Sequence, residues 1–450
     1  MEYSKLLQFV DSNIDRIKDA EKFLWANPET GYREWKSSKY LEQQYEALGY
    51  KLNLAGNIPG FYTDIDTGRP GPKIMLLSEL DSLICNDHPD ADPITGAVHA
   101  CGHSAQGAAL LGVAAALKEE GALDGLSGTI RLCVVPAEEL IEIGYRETLR
   151  QQGIIKYFGG KVEFLYRGYF DDVDISYMVH TAGGKPHQFY IHKGNNGCVT
   201  KNIKYIGVAS HAGGSPHAGI NALYAANLGI NAINALRETF IDSDHIRVHP
   251  IITAGGTAVN AIPSEVLLES YVRGATMESI ELINTKVNRA LAATAAALGA
   301  KVELCDRPGY APLINDINLN KLAEKAMGIA VTADNVSVTE DWGTGCTDMG
   351  DLSAVMPAIH PHVSGASGMG HGNDYKISDV DTACVDSAKG QLVLLHMLME
   401  NDACEAKSVI ANKNLRYQSY AEYFTAIDKL IIDKEAVKYQ EDGNILLDLC

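Results

Sequence analysis

The 450-residue chain contains no run of 18 apolar residues, so no segment reads as a membrane-spanning helix. Its opening, MEYSKLLQFVDSNIDRIKDAEKF, is a charged amphipathic stretch without the apolar core of a secretory signal. Positive charge is scarce: 38 Lys and Arg stand against 57 Asp and Glu, a formal net charge of -19. That balance argues against a nucleic acid or an anionic membrane as partner, because either needs clustered basic residues. Proline is sparse at 15, and neither an internal repeat nor a low-complexity tract is present. Nine cysteines make an odd, scattered set without framework spacing, which suits a reducing compartment and predicts no structural disulfide. What is abundant is core-forming material: at 46% hydrophobic residues the chain is long enough for two or three domains. A cytoplasmic globular enzyme is the expectation.

Residues 1–50 predict two helices separated by the turn signals Asn27-Pro28-Glu29-Thr30-Gly31. A short buried strand follows at 74–77 and ends in Glu79 and Asp81. After an irregular loop come His99-Ala100-Cys101-Gly102-His103 and a small-residue helix from about 105 to 118. The strand TIRLCVVP stops just before Glu138-Glu139, and the strand DISYMV stops at His180. Three strands thus end in polar, metal-competent residues with helical patterns between them. This predicts an α/β fold with a largely parallel sheet and a site beyond the strands' carboxyl ends. From about 196 to 306 the pattern changes to βαββαβ, the order of a ferredoxin-like unit. The expected organisation is therefore a catalytic domain in two parts, 1–195 and 307–450, with an inserted α+β domain at 196–306 and a polar C-terminal extension.

The chemistry centres on Cys101-x-His103 and the glutamate pair. Thiolate, imidazole and carboxylate donors together suit zinc, manganese, cobalt or nickel better than magnesium or calcium. Two such ions could polarise a carbonyl and acidify a water, leaving one carboxylate free as base. Adjacent glutamates at a strand end can divide those tasks because they point in different directions. Each signal alone has an ordinary explanation: paired glutamates are usually a solvated turn, and a strand-end histidine is usually just hydrogen-bonded. Their ordered recurrence at strand ends favours metal.

The sequence resembles the amidohydrolase branch of the aminoacylase/carboxypeptidase G metallopeptidases, which includes p-aminobenzoyl-glutamate hydrolase, indole-acetyl-amino-acid hydrolase and β-alanyl-lysine dipeptidase-like proteins. The resemblance runs from about residue 20 to 399. It rests on Glu79-Leu-Asp81-Ser, HACGHS, Pro136-Ala-Glu138-Glu139, Val179-His180, Ser210-His211-Ala, Asn260-Ala-Ile-Pro263, Tyr271-Val-Arg273, Thr347-Asp348-Met-Gly and Gly370-His371. It implies Cys101, His103, Glu139, His180 and His371 as ligands of two divalent ions, zinc or manganese, and Glu138 as general acid/base. It implies that His211 supports the oxyanion of a neighbouring site in a homodimer formed through the inserted domain. It also implies that Asn260 and Arg273 hold the free carboxylate of a small-molecule substrate.

The implied reaction is hydrolysis of the amide bond of an N-acyl amino acid, an aminobenzoyl-glutamate-like compound or a dipeptide. An aminopeptidase of the same fold would need an acidic anchor in place of Arg273, and an inactive binding relative would have no use for Glu138. The inserted domain should move as a lid hinged at 194–197 and 308–309. Two departures from the family pattern stand out: Ser104-Ala105-Gln106 after the HACGH run, and a long insertion at 147–167 after the glutamates. Cys198, Cys346 and Cys450 read as ordinary thiols, and His360 and His362 as either site neighbours or loop residues.

Overall fold

The computed structural model describes residues 2–184 and 186–449; Cys450 lies outside them. The apolar strands β1 (Phe61–Asp66), β2 (Lys73–Glu79), β3 (Thr129–Val135) and β4 (Ile175–Tyr177) form one sheet with the short strands Asn53–Leu54 and Ala358–Ile359. β3, β2, β4 and Ala358–Ile359 run parallel, while β1 is antiparallel to β3. β2 and β3 are buried along nearly their whole length, as expected of strands covered on both faces. The sheet is mixed and largely parallel, as predicted.

Helix α1 (His103–Ala116) is buried at every residue, which its Ala- and Gly-rich sequence permits by letting neighbours approach closely. A Cβ on Gly112 would lie 2.6 Å from Ile17. The helix starts at His103 rather than near 105, so the second histidine of the motif sits on its first turn. Helix α2 (Ile143–Gln151) lies in the stretch after the glutamate pair.

The N-terminal region differs from expectation: it forms three helices, Tyr3–Asp11, Ile14–Trp25 and Trp35–Ala47. The break at Ser12-Asn13 follows from side chains that bond back to the preceding turn, Ser12 Oγ to the Gln8 carbonyl and Asn13 Nδ2 to that of Phe9. DISYMV likewise divides. β4 ends at Tyr177, and His180 opens a separate strand, His180–Gly183, paired with His362–Ser367 in another sheet.

Between 197 and 310 the elements are β5 (Gly197–Ile206), α3 (Ala222–Leu236), β6 (Ile251–Ala254), β7 (Glu265–Gly274), α4 (Met277–Ala297) and β8 (Lys301–Tyr310). The sheet order is β6-β7-β5-β8, all antiparallel neighbours. β7 alternates buried and less buried residues, the pattern of a sheet with one face on helices. Pro250 interrupts the stretch HIRVHPIITAG, which becomes two pieces, Arg247–Val248 and β6. Under the sheet, buried Lys201 bonds Asp306 at 2.6 Å and the side chains of Asn284 and Asn288. The C-terminal region adds a further strand: β9 (Ile432–Glu435) pairs with residues 303–306 of β8. Arg307 ties the pieces together, holding Glu147 at 2.9 Å and Asp433 at 2.7 Å.

Candidate active site

Gly102 lets the motif fold around a point. Its φ of +87° is left-handed, and a Cβ there would crowd Thr181 and Tyr375, so only glycine turns the chain between Cys101 and His103. Cys101, His103 and His180 then bring one donor atom each within 4.8 Å of one another, and so do Cys101, Glu139 and His371. Cys101 belongs to both groups. Cys101 Sγ lies 3.4 Å from His180 Nε2, and His371 Nε2 lies 3.2 Å from Glu139 Oε1. His103 Nδ1 faces the Asp81 carbonyl at 2.9 Å, a second contact that fixes ring orientation and leaves Nε2 for a metal. His180 Nδ1 faces the Thr181 carbonyl at 2.7 Å to the same effect.

A third group, Glu79, His103 and Glu138, is also within 4.8 Å and wholly buried. A cation is already there: Lys161 Nζ sits 2.5 Å from both Glu79 and Asp348, with all three side chains sealed from solvent. This ammonium is the natural counter-charge for the floor of the site, so we read the third group as an ion-paired floor.

Charge is distributed unequally across the glutamate pair. Burial, together with Glu79, Glu139 and Asp348, pushes the Glu138 carboxyl well above the usual range. Burial opposes the Glu139 carboxylate too, but His371 and His103 outweigh it and hold the group well below that range. Glu139 raises His371 to about 11. Burial and Glu139 work against the Cys101 thiolate, yet His103 and His180 bring it down to about 6. One glutamate is therefore disposed to carry a proton and its neighbour to stay ionised.

Cys101, Glu138, Glu139, His180 and His371 line a cleft of about 220 Å³ together with Arg273, Tyr271, Cys198 and Cys346. Arg273 stacks over the Tyr271 ring at 5.0 Å and has no carboxylate partner among the described residues. His360 and His362 also line the cleft, His360 with its ring edge against His180. The chain's own His211 and Asn260 do not reach it; both are exposed on the 197–310 unit, where His211 Nδ1 accepts from the backbone of Gly213 and Gly214. Lys161 and Arg146 drew no notice in the sequence because they lie in and beside the apparent insertion. Tyr271 was visible only as part of the Tyr-x-Arg motif.

The donor set suits two divalent transition ions sharing a thiolate. Two of its buried atoms, His103 Nε2 and Glu139 Oε1, meet hydrogen-bond geometry with no described residue and have only an ionic neighbour each, Glu79 at 3.1 Å and His371 at 3.2 Å, which leaves them to a metal. A sheet whose strand ends carry such a centre defines a metal-dependent hydrolase. The chain belongs to Peptidase family M20/M25/M40, which it matches over residues 75–398.

Among similar proteins is the human Xaa-Arg dipeptidase, 27% identical over 384 residues, covering 81% of this chain and 80% of that protein. Another is the indole-3-acetyl-aspartic acid hydrolase of Enterobacter agglomerans, 31% identical over 261 residues and 55% of each chain. The p-aminobenzoyl-glutamate hydrolase subunits of Escherichia coli are similar too. A Bacillus subtilis structure described as a dinuclear metal binding peptidase superposes with a TM-score of 0.61 at 19% identity, covering 86% of this chain and 99% of that one. No helix among the described residues is long and apolar enough to cross a membrane.

Proposed function

We propose that the protein hydrolyses the amide bond of an N-acyl amino acid, an aminobenzoyl-glutamate-like compound or a dipeptide. The observation that carries this reading is the meeting, at one cleft, of two donor groups sharing Cys101, a separate buried glutamate and a guanidinium with no carboxylate partner among the described residues. Cys101, His103 and His180 would hold one divalent ion and Cys101, Glu139 and His371 the other, zinc or manganese. Bound there, such ions supply Lewis acidity to the carbonyl and acidity to the attacking water. Glu138 takes the proton from that water and returns it to the leaving amine, a role its raised proton affinity suits. Arg273 pairs with the substrate carboxylate through two parallel hydrogen bonds.

His211 and Asn260, exposed on the 197–310 unit, serve the cleft of a second copy. Exposed apolar residues on that unit, among them Tyr224, Ile251 and Val259, support such pairing. In this reading the unit moves as a lid over the cleft, hinged at 194–197 and 308–309, and the enzyme works in the cytoplasm.

Elemental analysis and steady-state kinetics of two variants test the reading. Glu138→Gln should keep its metal and lose turnover on the order of a hundred- to ten-thousand-fold. Glu139→Gln should lose metal as well. Near-normal kcat in Glu138→Gln would sink the assignment.

A further inference from the structure

The turn bearing the glutamate pair is strained and held from several sides. Ala137 adopts φ +58°, a left-handed conformation that costs a residue with a Cβ about 1 kcal/mol or more. Such a turn persists only where its surroundings impose it. The Ala137 N–H donates to Glu34 Oε1 at 2.7 Å, and the Glu139 N–H donates to Asp81 Oδ2 at 2.7 Å.

The carbonyls are captured one after another by long side chains. Arg146, on α2 and 1% exposed, donates to the carbonyls of Ala137 and Glu139. The Tyr310 hydroxyl donates to the Glu138 carbonyl, and the Tyr271 hydroxyl donates to the Leu140 carbonyl. Gly31 leaves the space this needs, since a Cβ there would overlap the Arg146 guanidinium.

The origin of these donors is informative. Glu34, Asp81 and Arg146 belong to the body that carries the parallel sheet, whereas Tyr271 and Tyr310 stand on β7 and β8 of the other sheet. Both phenols border the cleft, but their hydroxyls are spent on backbone carbonyls rather than on a ligand's side chain. They fix where the 138–139 and 140–141 peptide units point, with Arg146 holding the 139–140 unit between them, and so where both carboxyl groups are aimed.

We propose that Tyr271 and Tyr310 are positioning residues for Glu138 and Glu139, Tyr310 from the end of β8 just past the 308–309 hinge and Tyr271 only while the 197–310 sheet is docked against the turn. The proposal rests on the reading of Glu138 as the proton carrier. Docking of one unit then completes the geometry of the other: a swing about 308–309 carries Tyr271 away with β7 and releases the Leu140 carbonyl, one of the four through which the strained turn is held, while Tyr310 keeps the Glu138 carbonyl. A misplacement of about 1 Å at a reacting group can cost on the order of a hundredfold in rate.

The test uses the full-length, metal-loaded protein and the conservative variants Tyr310→Phe, Tyr271→Phe and the pair combined. Each removes one hydroxyl and keeps the ring. The expected result is a kcat about tenfold lower in Tyr310→Phe and lower again in the double variant, with KM and bound metal close to wild type. Amide hydrogen exchange of the 137–141 segment should quicken in the same variants. A kcat within twofold of wild type would overturn the proposal, whatever the exchange shows, and so would unchanged exchange at 137–141. If the wild-type protein hydrolyses no N-acyl amino acid or dipeptide, the functional reading fails. The exchange measurement then still decides whether the tyrosines hold the turn.

Discussion

Among the described residues two lysines are sealed from solvent, and they are held in opposite ways. Lys161, under the cleft, faces two carboxylates and lies near a third, Glu138; burial works against its charge, but Asp348 and Glu79 overcome it and raise its pKa. Lys201, inside the 197–310 unit, has one carboxylate, Asp306, and two neutral amides; there burial prevails and its pKa falls. The difference is one of surplus. Around Lys161 anions outnumber the cation, leaving carboxylates whose charge something further must balance, which is what a metal centre requires of its floor. Around Lys201 the charges close among themselves and serve only to fix a sheet against α4.

If that contrast is right, replacing each lysine should fail differently. Lys161→Met leaves Glu79 and Asp348 buried without their cation; turnover should fall by about a hundredfold or more and bound metal should drop, read by kinetics and elemental analysis. Lys201→Met should cost about 3 to 5 kcal/mol of stability, the usual penalty for orphaning a buried charge, measured by denaturant titration. Its surviving folded fraction should turn over normally. Equal kinetic damage from both would erase the distinction.

Arg273 extends the comparison to a cation with no carboxylate of its own. On a substrate with a free carboxylate, Arg273→Ala should lose about ten- to a hundredfold in kcat/KM, in line with about 1.5 to 3 kcal/mol for a hydrogen bond to a charged group. On the matching amide it should lose little. Equal losses would make the residue structural.

Glu21 is the reverse case, a buried carboxyl that accepts a hydrogen bond from the Ser104 hydroxyl at 3.4 Å and has no cationic partner among the described residues. Burial raises it to about 7. The folded protein therefore holds that proton more tightly than the unfolded chain does. The associated stability is present below about pH 4.5 and is lost as pH rises toward 7. Glu21→Gln should flatten this slope by on the order of 1 to 2 kcal/mol, checked by urea titrations at pH 5 and pH 8. An unchanged slope would show that burial alone does not set its charge.

The contrast also explains what could be read without a structure. Glu138 and Glu139 follow a strand of the parallel sheet, His180 comes three residues after another, and Cys101 and His103 form one short motif at the start of α1, so local patterns are enough to mark them. Lys161 meets partners at 79 and 348 across three segments, and nothing in its neighbourhood, a glycine pair inside an apparent insertion, signals a buried ammonium. The same holds for Arg146, which looks like one more charged residue on an amphipathic helix until its guanidinium is found buried on backbone carbonyls. His211 and Asn260 were legible as motifs, and the resemblance already assigned His211 to a neighbouring copy; Asn260, expected beside Arg273, stands exposed away from this chain's own cleft. The division of the N-terminal helix and of DISYMV was lost because side-chain back-bonding and a change of sheet leave no mark on hydrophobic periodicity.

The two borders of the 197–310 sheet differ in kind. One ends in β9, four residues long and carrying Asp433, Lys434 and Glu435, a short charged border of the sort that refuses further strands. The other ends in β6, whose Ile251, Ile252, Thr253 and Ala254 are all exposed. Under the pairing proposed above, a molecule with one welcoming border and one refusing border would join like with like about a two-fold axis, each union consuming the open side of both partners. Growth would then stop at two. In that light β9, laid along residues 303–306, would be the terminator that keeps a pairing device from becoming a fibre.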